Sequence, residues 1–231
     1  MGLRTRSPGR VLTAVMAVLT VGLMGLGAAS LATASPHAAA GVHDAAKVGK
    51  RALHDGMRRL WVDHVTWTRL FIVSFVADLP DLQATTDRLL QNQVDIGDAI
   101  KPFYGKAAGN QLTGLLTDHI LTAAELLGAA KANDQTAFEE AKTDWYANAR
   151  EIARFLHDAN PDHWRLADLR TMMKEHLDLT LQEAVHYLTG DYRASIADYD
   201  EIHAQILGMA DMLSDGIIAQ FPDAFTARGG R

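Results

Sequence analysis

The stretch LWVDHVTWTRLF, residues 60–71, decides how the fold of this chain is interpreted. Its apolar residues recur at steps of three and four, which is the spacing of a helix with one buried face. His64 stands on that face, between Trp61 and Trp67, where a leucine is expected. The stretch therefore predicts a helix that buries an imidazole, and it raises the question of what the imidazole does there.

The chain after residue 44 keeps this helical pattern, and none of its apolar runs is typical of a strand. Pro, Gly, Asn and Asp interrupt the pattern at intervals and mark the helix ends. The predicted helices are 47–78, 81–101, 105–132, 134–159, 164–189 and 191–221. Because the loops are short, neighbouring long helices are expected to pack antiparallel. The sequence thus predicts an all-α, up-and-down antiparallel bundle of about five long helices plus one short helix.

The two ends of the chain are predicted to lie outside this bundle, which occupies residues 41–222. At the start, a basic segment is followed by an uncharged run at 11–29 and then by small residues, which is the order of a secretory signal peptide. Cleavage is expected after Ala34 or Ala40, so the protein is predicted to be secreted or associated with the cell envelope. An uncleaved membrane anchor is the alternative, since the uncharged run is long enough to span a bilayer. Residues 223–231 are predicted to be a disordered tail.

Composition excludes several classes of function. Asp and Glu number 28 against 22 Lys and Arg, so the field of the protein repels nucleic acid and anionic membranes. The chain has no Cys, which excludes thiolate zinc sites, iron–sulfur clusters and covalent haem attachment. The predicted bundle has no nucleophile-elbow, phosphate-loop, dinucleotide or zinc-protease motif. We therefore predict no catalytic residues and expect a protein that is not an enzyme, with its protein partners left open.

Four histidines occupy equivalent positions in four predicted helices. His64, His119, His176 and His203 each lie on the apolar stripe of their helix and near its middle. In the last helix, 191–221, the residues predicted to face inward are Ile196, Tyr199, His203, Ile206, Ala210, Leu213 and Ile217. Antiparallel helices of similar length bring their midpoints to one level, so the four imidazoles are expected to form one buried layer. Asn148, on the helix 134–159, is expected at the same height.

This layer is interpreted as a metal site. A buried imidazole without hydrogen-bond partners costs about 1–3 kcal/mol for each missing partner. Neutral imidazole is also a good ligand for zinc, copper and iron. The predicted ligands are the four histidines, and the predicted outer partners of the imidazoles are Glu183, Asp200 and Asn148. Two alternatives stay open: a structural histidine network in a non-enzymatic, envelope-associated interaction protein, and non-covalent haem binding.

Neighbouring residues bear on which metal is expected. Methionines accompany two of the histidines, in MMKEH (172–176) and HAQILGMADM (203–212), and thioether with imidazole favours copper, although methionine is also common core filler. A Glu or Asp precedes a histidine by three residues in EAVH (183–186) and DEIH (200–203), which weakly resembles a di-metal carboxylate site. The simpler interpretation of the glutamate is a charge partner for a core Arg or His. Arg69 is expected to pair with an acid of the bundle.

Five segments together resemble an exported, all-helical bacterial protein family of uncharacterised function. They are LWVDHVTWTRLFIVSFVADLPDL (60–82), RLLQNQVDIGDAIKPFYG (88–105), LLTDHI (115–120), WYANAREIARFL (145–156) and MADMLSDGIIAQFP (209–222). Members of this family are often labelled acetylglutamate kinase or glycosyltransferase. Those labels imply α/β folds with nucleotide-binding loops, which this sequence lacks. The resemblance implies a helical fold and export, and it implies no catalytic residues.

Overall fold

The computed structural model describes residues 49–225, which form five α-helices with no strand among them. The helices are α1 (Lys50–Val76), α2 (Leu82–Ala132), α3 (Gln135–Ala159), α4 (Leu166–Thr189) and α5 (Tyr192–Gln220). The prediction of an all-α helical bundle is confirmed. The predicted signal peptide lies outside the described residues. None of the described helices combines the length and apolarity that crossing a membrane requires.

Helix α2 is a hairpin of two antiparallel arms, residues 82–104 and 106–132. Gly105 joins them with a φ of 83°, a backbone conformation that favours glycine. Two further glycines let the arms approach closely, since a Cβ atom on Gly97 would lie 2.6 Å from the carbonyl oxygen of Gly109. The helices predicted at 81–101 and 105–132 are therefore present as the two arms of this hairpin.

The helices surround one core. Each helix packs against its neighbours in the chain, and α5 packs against α1, which closes the arrangement into a ring. The centre is filled by large apolar side chains such as Leu89, Ile152, Leu177 and Ile206, each no more than 1% exposed. Burial of such apolar surface is the main stabilising contribution to the fold. The ring also brings the middles of the helices together, so a polar residue there must find its partners inside the bundle.

The apolar stripe predicted for α5 is wrong in the first half of that helix. Ile196, expected inside, is 52% exposed, and His203 is only partly buried. The buried positions are instead Ser195, Asp198 and Ile202. The polar side chains among them are held inside by hydrogen bonds to α1 and α4. A pattern based on apolar residues alone therefore placed the buried face of α5 about one residue out of phase.

The end of the bundle extends further than the sequence predicted. Pro222–Ala224 form a 3-10 turn, and the ring of Phe225 stacks on that of Phe103 with 5.6 Å between centroids. The prediction of a disordered tail that begins at residue 223 is thus wrong for the first three of its residues. The remainder of the predicted tail, residues 226–231, lies outside the described residues.

Candidate functional site

Three of the four predicted histidines are buried together in the middle of the bundle. His64 on α1, His119 on α2 and His176 on α4 are 3%, 3% and 5% exposed. The ring centroids of His64 and His176 lie 5.8 Å apart. His119 is close enough to act electrostatically on both of the other imidazoles. We refer to these three residues as the histidine layer.

The fourth predicted ligand does not belong to this layer. His203 is half-buried, and its ring lies beside that of Tyr199, with 6.3 Å between the centroids. Asp200, predicted as an outer partner, is exposed. Both predictions failed because the buried face of α5 is shifted by about one residue from the predicted stripe. The residue that α5 directs toward the layer is Gln205, whose side chain lies beside His176.

Asn148 on α3 orients His119, as the prediction of an outer partner requires. Its amide nitrogen donates a hydrogen bond of 3.0 Å to the carbonyl oxygen of Leu115, and its Oδ1 lies 2.9 Å from Nδ1 of His119. An amide oxygen only accepts hydrogen bonds, so Nδ1 of His119 carries the proton and donates it. The other ring nitrogen, Nε2, therefore keeps its lone pair.

The first arm of α2 contributes two buried amides that the sequence analysis missed. Asn92 and Gln93 are both fully buried. Nε2 of Gln93 lies 3.4 Å from Nδ1 of His64 and also donates a hydrogen bond of 2.8 Å to the carbonyl oxygen of Leu89. Gln93 follows Leu89 by four residues and precedes Ile96 by three, so the helical spacing of this arm could have predicted that Gln93 lies on its buried face. Every arm or helix of the bundle thus directs a polar side chain toward the layer.

Several polar atoms around the layer have no hydrogen-bond partner in the described part of the chain. They are Nδ1 of His176, Oε1 of Gln93, Oε1 of Gln205, and the indole nitrogens of Trp61 and Trp145. The two indole rings pack against histidines of the layer, at 5.6 Å and 5.4 Å between centroids. A buried group of this kind costs about 1–3 kcal/mol when it stays unpaired. The layer therefore has hydrogen-bonding capacity beyond what its side chains satisfy.

Burial keeps the three imidazoles neutral. It lowers the pKa of His119 and that of His176 to about 4. The pKa of His64 lies well below its usual value because of burial and because of the two neighbouring imidazoles. A neutral imidazole has one nitrogen with a free lone pair, which accepts a hydrogen bond or binds a metal ion. At neutral pH each histidine of the layer therefore presents such a nitrogen.

The side chains as they stand do not form a metal site. Within residues 49–225, no three His, Asp or Glu side chains are arranged to hold a metal ion. Met173 and Met209, which suggested copper, line a small apolar cavity together with Trp61. This surrounding supports their interpretation as core residues.

Glu183 belongs to a separate polar cluster and is not an outer partner of the histidine layer. Its Oε1 lies 2.5 Å from Nη1 of Arg69, so the simpler interpretation of both residues, an ion pair inside the bundle, is confirmed. Burial raises the pKa of Glu183 to about 7, and Arg69 acts in the opposite direction. Asp198 continues the cluster by accepting hydrogen bonds from Nδ1 of His186 at 2.6 Å and from Gln182 at 2.7 Å. The spacing of apolar residues did not predict that Asp198 is buried, because the predicted stripe of α5 is about one residue out of phase with its buried face.

Comparisons with known proteins leave the function open. No protein-family model, curated protein or solved structure matches this chain. The resemblance to an exported helical family therefore stays a prediction, and any functional conclusion has to come from the geometry of the histidine layer.

Proposed function

We propose that this protein binds one transition metal ion, zinc, copper or iron, between His64, His119 and His176. The observation that supports the proposal is the burial of three neutral imidazoles, from three helices, in one layer. Imidazole nitrogen is a good ligand for these three metals, whereas magnesium and calcium prefer oxygen. His203 is left out of the ligand set because it lies on the partly exposed face of α5.

The tautomer of His119 favours metal binding. A histidine that binds a metal through one nitrogen almost always donates the other ring N–H to an oxygen, which fixes the orientation of the ring. Asn148 accepts such a bond from Nδ1 of His119 at 2.9 Å, which leaves Nε2 available to the metal. His176 adds a buried Nδ1 that has no hydrogen-bond partner.

Ring rotation is needed to complete coordination. Metal–nitrogen bonds are about 2.0–2.1 Å long, so the centre of a ligating ring lies roughly 3 Å from the ion. The rings of His64 and His176, with centroids 5.8 Å apart, are spaced compatibly with one ion between them. In this proposal the rings turn about their side-chain torsions until their lone pairs meet at one point, while the helices keep their places.

The second candidate is a metal-free layer in a non-enzymatic, envelope-associated interaction protein. It is favoured because two of the histidines already have a side-chain amide as a partner. Gln93 contacts His64, and Asn148 contacts His119. In this case the layer is a hydrogen-bonded network that fixes how the helices align. The two candidates differ in metal stoichiometry, which is measurable.

Export completes the proposal. A signal peptide within residues 1–40 would deliver the protein to the envelope or to the medium. Expression of the full chain in a secreting bacterial host, followed by determination of the first residue of the mature protein, tests this step. Cleavage after Ala34 or Ala40 is expected. A full-length chain retained in the membrane would instead support the uncleaved anchor.

Metal loading of the purified bundle tests the main proposal. The protein is stripped with a chelator, titrated separately with zinc, copper and ferrous iron, and analysed for bound metal by elemental analysis and calorimetry. One ion per chain is expected for at least one of the three metals. Replacement of His64, His119 or His176 by Ala is expected to weaken binding at least tenfold, while the helical content by circular dichroism stays nearly unchanged.

His203→Ala is the matched control, since it removes a histidine outside the layer. It is expected to bind the metal as tightly as the unmodified protein. Substoichiometric metal under all three loading conditions would overturn the proposal in favour of the structural network. Equal losses in His119→Ala and His203→Ala would show that the metal binds elsewhere.

A further inference from the structure

The histidine layer is built from uncharged side chains. Among the residues that the structure describes, Glu183 and Asp198 are the only buried acids. Glu183 follows His176 by seven residues, which corresponds to about 10 Å along the axis of α4. Its carboxylate is bound to Arg69. Asp198 accepts its hydrogen bonds from residues at the same end of α4, beyond the layer. Both buried acids therefore lie outside the histidine layer.

The acids that precede the three histidines in the chain lie outside the layer as well. Asp118 and Glu175 are exposed. Asp63 forms an ion pair with Arg88, with 3.4 Å between Oδ2 and Nη2. The described side chains that act on the three imidazoles are the imidazoles themselves and four uncharged amides, those of Asn92, Gln93, Asn148 and Gln205. A metal ion in the layer therefore meets no carboxylate of residues 49–225 that could balance its charge.

A buried site without charge discriminates between metal ions by their charge. The cost of moving an ion from water into a medium of low dielectric constant rises with the square of the ionic charge. Carboxylate ligands offset this cost because they neutralise the ion, whereas neutral imidazoles offset it only through their dipoles and lone pairs. The histidine layer therefore disfavours a divalent ion relative to a monovalent ion that binds imidazole.

The number of available ligands favours the same choice. Zinc in proteins takes four ligands, and the layer supplies three imidazoles. The indole N–H groups of Trp61 and Trp145, which also lie at the layer, only donate hydrogen bonds and cannot bind a metal ion. The monovalent transition metal ion that imidazole binds is Cu(I), which is stable with two or three nitrogen ligands. Charge and ligand number thus select the same ion.

We propose that the histidine layer binds copper in its monovalent state, Cu(I), in preference to Cu(II), zinc and ferrous iron. This inference rests on the proposed metal site and adds which ion that site selects. The selection depends on the absence of charge in the layer and not on the thioether of Met173, which is buried in the apolar core.

Titrations of the purified protein with Cu(I), Cu(II) and zinc test the proposal. Cu(I) is kept reduced by ascorbate in the absence of oxygen, and its affinity is measured by competition with the chromogenic chelator bicinchoninate. Cu(II) and zinc are measured by calorimetry. One Cu(I) per chain is expected, bound at least tenfold more tightly than Cu(II) or zinc. His176→Ala is expected to weaken Cu(I) binding at least tenfold, whereas His203→Ala is expected to leave it unchanged.

Charge variants test the reason for the selection. Gln205→Glu and, independently, Asn148→Asp place a carboxylate beside His176 and beside His119. Each is expected to strengthen the binding of Cu(II) and zinc at least tenfold relative to that of Cu(I). Gln205→Leu removes the same amide without adding a charge and is expected to leave the preference for Cu(I) in place. Met173→Leu removes a thioether of the neighbouring core and is expected to leave the affinity for Cu(I) unchanged.

The outcomes separate this inference from the proposal of a metal site. Cu(II) or zinc bound at the three histidines as tightly as Cu(I) would overturn the selection of the monovalent ion and leave the metal site in place. An unchanged preference in both folded carboxylate variants would overturn charge as its cause, as would a loss of Cu(I) binding in Met173→Leu. Absence of binding of all three ions, or binding that His176→Ala leaves unchanged, would overturn the metal site together with the inference.

Discussion

Asn148 holds the imidazole of His119 in one tautomer across the interface between α3 and α2. The amide cannot turn its oxygen away without losing the 3.0 Å hydrogen bond from its nitrogen to the carbonyl oxygen of Leu115. The 2.9 Å contact from Oδ1 to Nδ1 of His119 is therefore a fixed hydrogen bond between two buried groups. Replacement of Asn148 by a side chain of similar size that lacks the amide would separate the effect of its hydrogen bonds on stability from the effect of its packing.

Asn148→Leu is expected to destabilise the bundle by about 1–3 kcal/mol, because it leaves the N–H of a buried imidazole without an acceptor. The measurement is the free energy of unfolding in urea, without metal. Asn110→Ala, at an exposed position of α2, is the control and is expected to change stability by less than about 0.5 kcal/mol. Equal stability of Asn148→Leu and the unmodified protein would contradict a structural role for the amide.

The stability of the metal-free protein is expected to fall as the pH is lowered from 7 to 5. His119 and His176 have pKa values of about 4 in the folded state, against 6.5 as the ordinary value. Below the ordinary value the unfolded chain therefore binds protons that the folded chain does not, so the unfolded state is favoured as the pH falls. The expected loss at pH 5 is on the order of 2 kcal/mol for each histidine.

Urea unfolding at a series of pH values checks this expectation. His176→Gln removes one of the two groups and is expected to make the loss between pH 7 and pH 5 correspondingly smaller. Glu183 changes the stability in the opposite direction as the pH falls, because its pKa is raised. The effect of His176 is therefore obtained from the difference between the variant and the unmodified protein. The same pH dependence in both proteins would show that His176 has the same pKa in the folded and the unfolded state.

The sequence predicted the fold well because long apolar stripes and helix breakers act locally. Gly105 and Gly190, both with positive φ, lie at turns that the sequence marks. Asp134 and Asp191, which begin two of the predicted helices, accept hydrogen bonds from backbone N–H groups of the first turn. Such signals depend on a few neighbouring residues, so they can be recognised without knowledge of the tertiary contacts.

The candidate site was only partly predictable, for a physical reason visible in α5. A stripe of apolar residues identifies the buried face when polar residues are exposed. In α5 the polar Ser195 and Asp198 are buried, because Arg69, His186 and Gln182 on other helices bind them. Contacts between helices decide such cases, and they are not encoded in the spacing along one helix. The assignment of the fourth ligand failed for this reason.

Arg69→Met is expected to destabilise the bundle by about 3–5 kcal/mol at pH 8, because it leaves the carboxylate of Glu183 buried without its partner. Glu183 is 2% exposed, and burial already raises its pKa to about 7. A raised carboxylate pKa means that the folded state binds the proton more strongly than the unfolded state does, so acidification favours folding. The loss caused by the substitution is therefore expected to be smaller at pH 5 than at pH 8.

Arg58→Met is the matched control for this change. Arg58 forms two hydrogen bonds of 2.6 Å with Asp211, but on the exposed surface, where an ion pair contributes about 0–1 kcal/mol. Urea unfolding of both variants at the two pH values gives the comparison. If Arg69→Met costs no more than Arg58→Met at pH 8, the ion pair of Glu183 contributes as little as a surface pair.

The last prediction concerns two glycines of α5 that differ only in what surrounds them. A Cβ atom on Gly216 would lie 1.9 Å from Nε1 of Trp164, a side chain that is 2% exposed and fixed in the core. A Cβ atom on Gly208 would meet nothing within 4 Å. Gly216→Ala is therefore expected to destabilise by about 1–3 kcal/mol through overpacking. Gly208→Ala is expected to stabilise by about 0.5–1 kcal/mol, since alanine restricts the unfolded chain and favours helix. Thermal and urea unfolding of the two variants measure the difference, and equal stability would show that Trp164 moves aside freely.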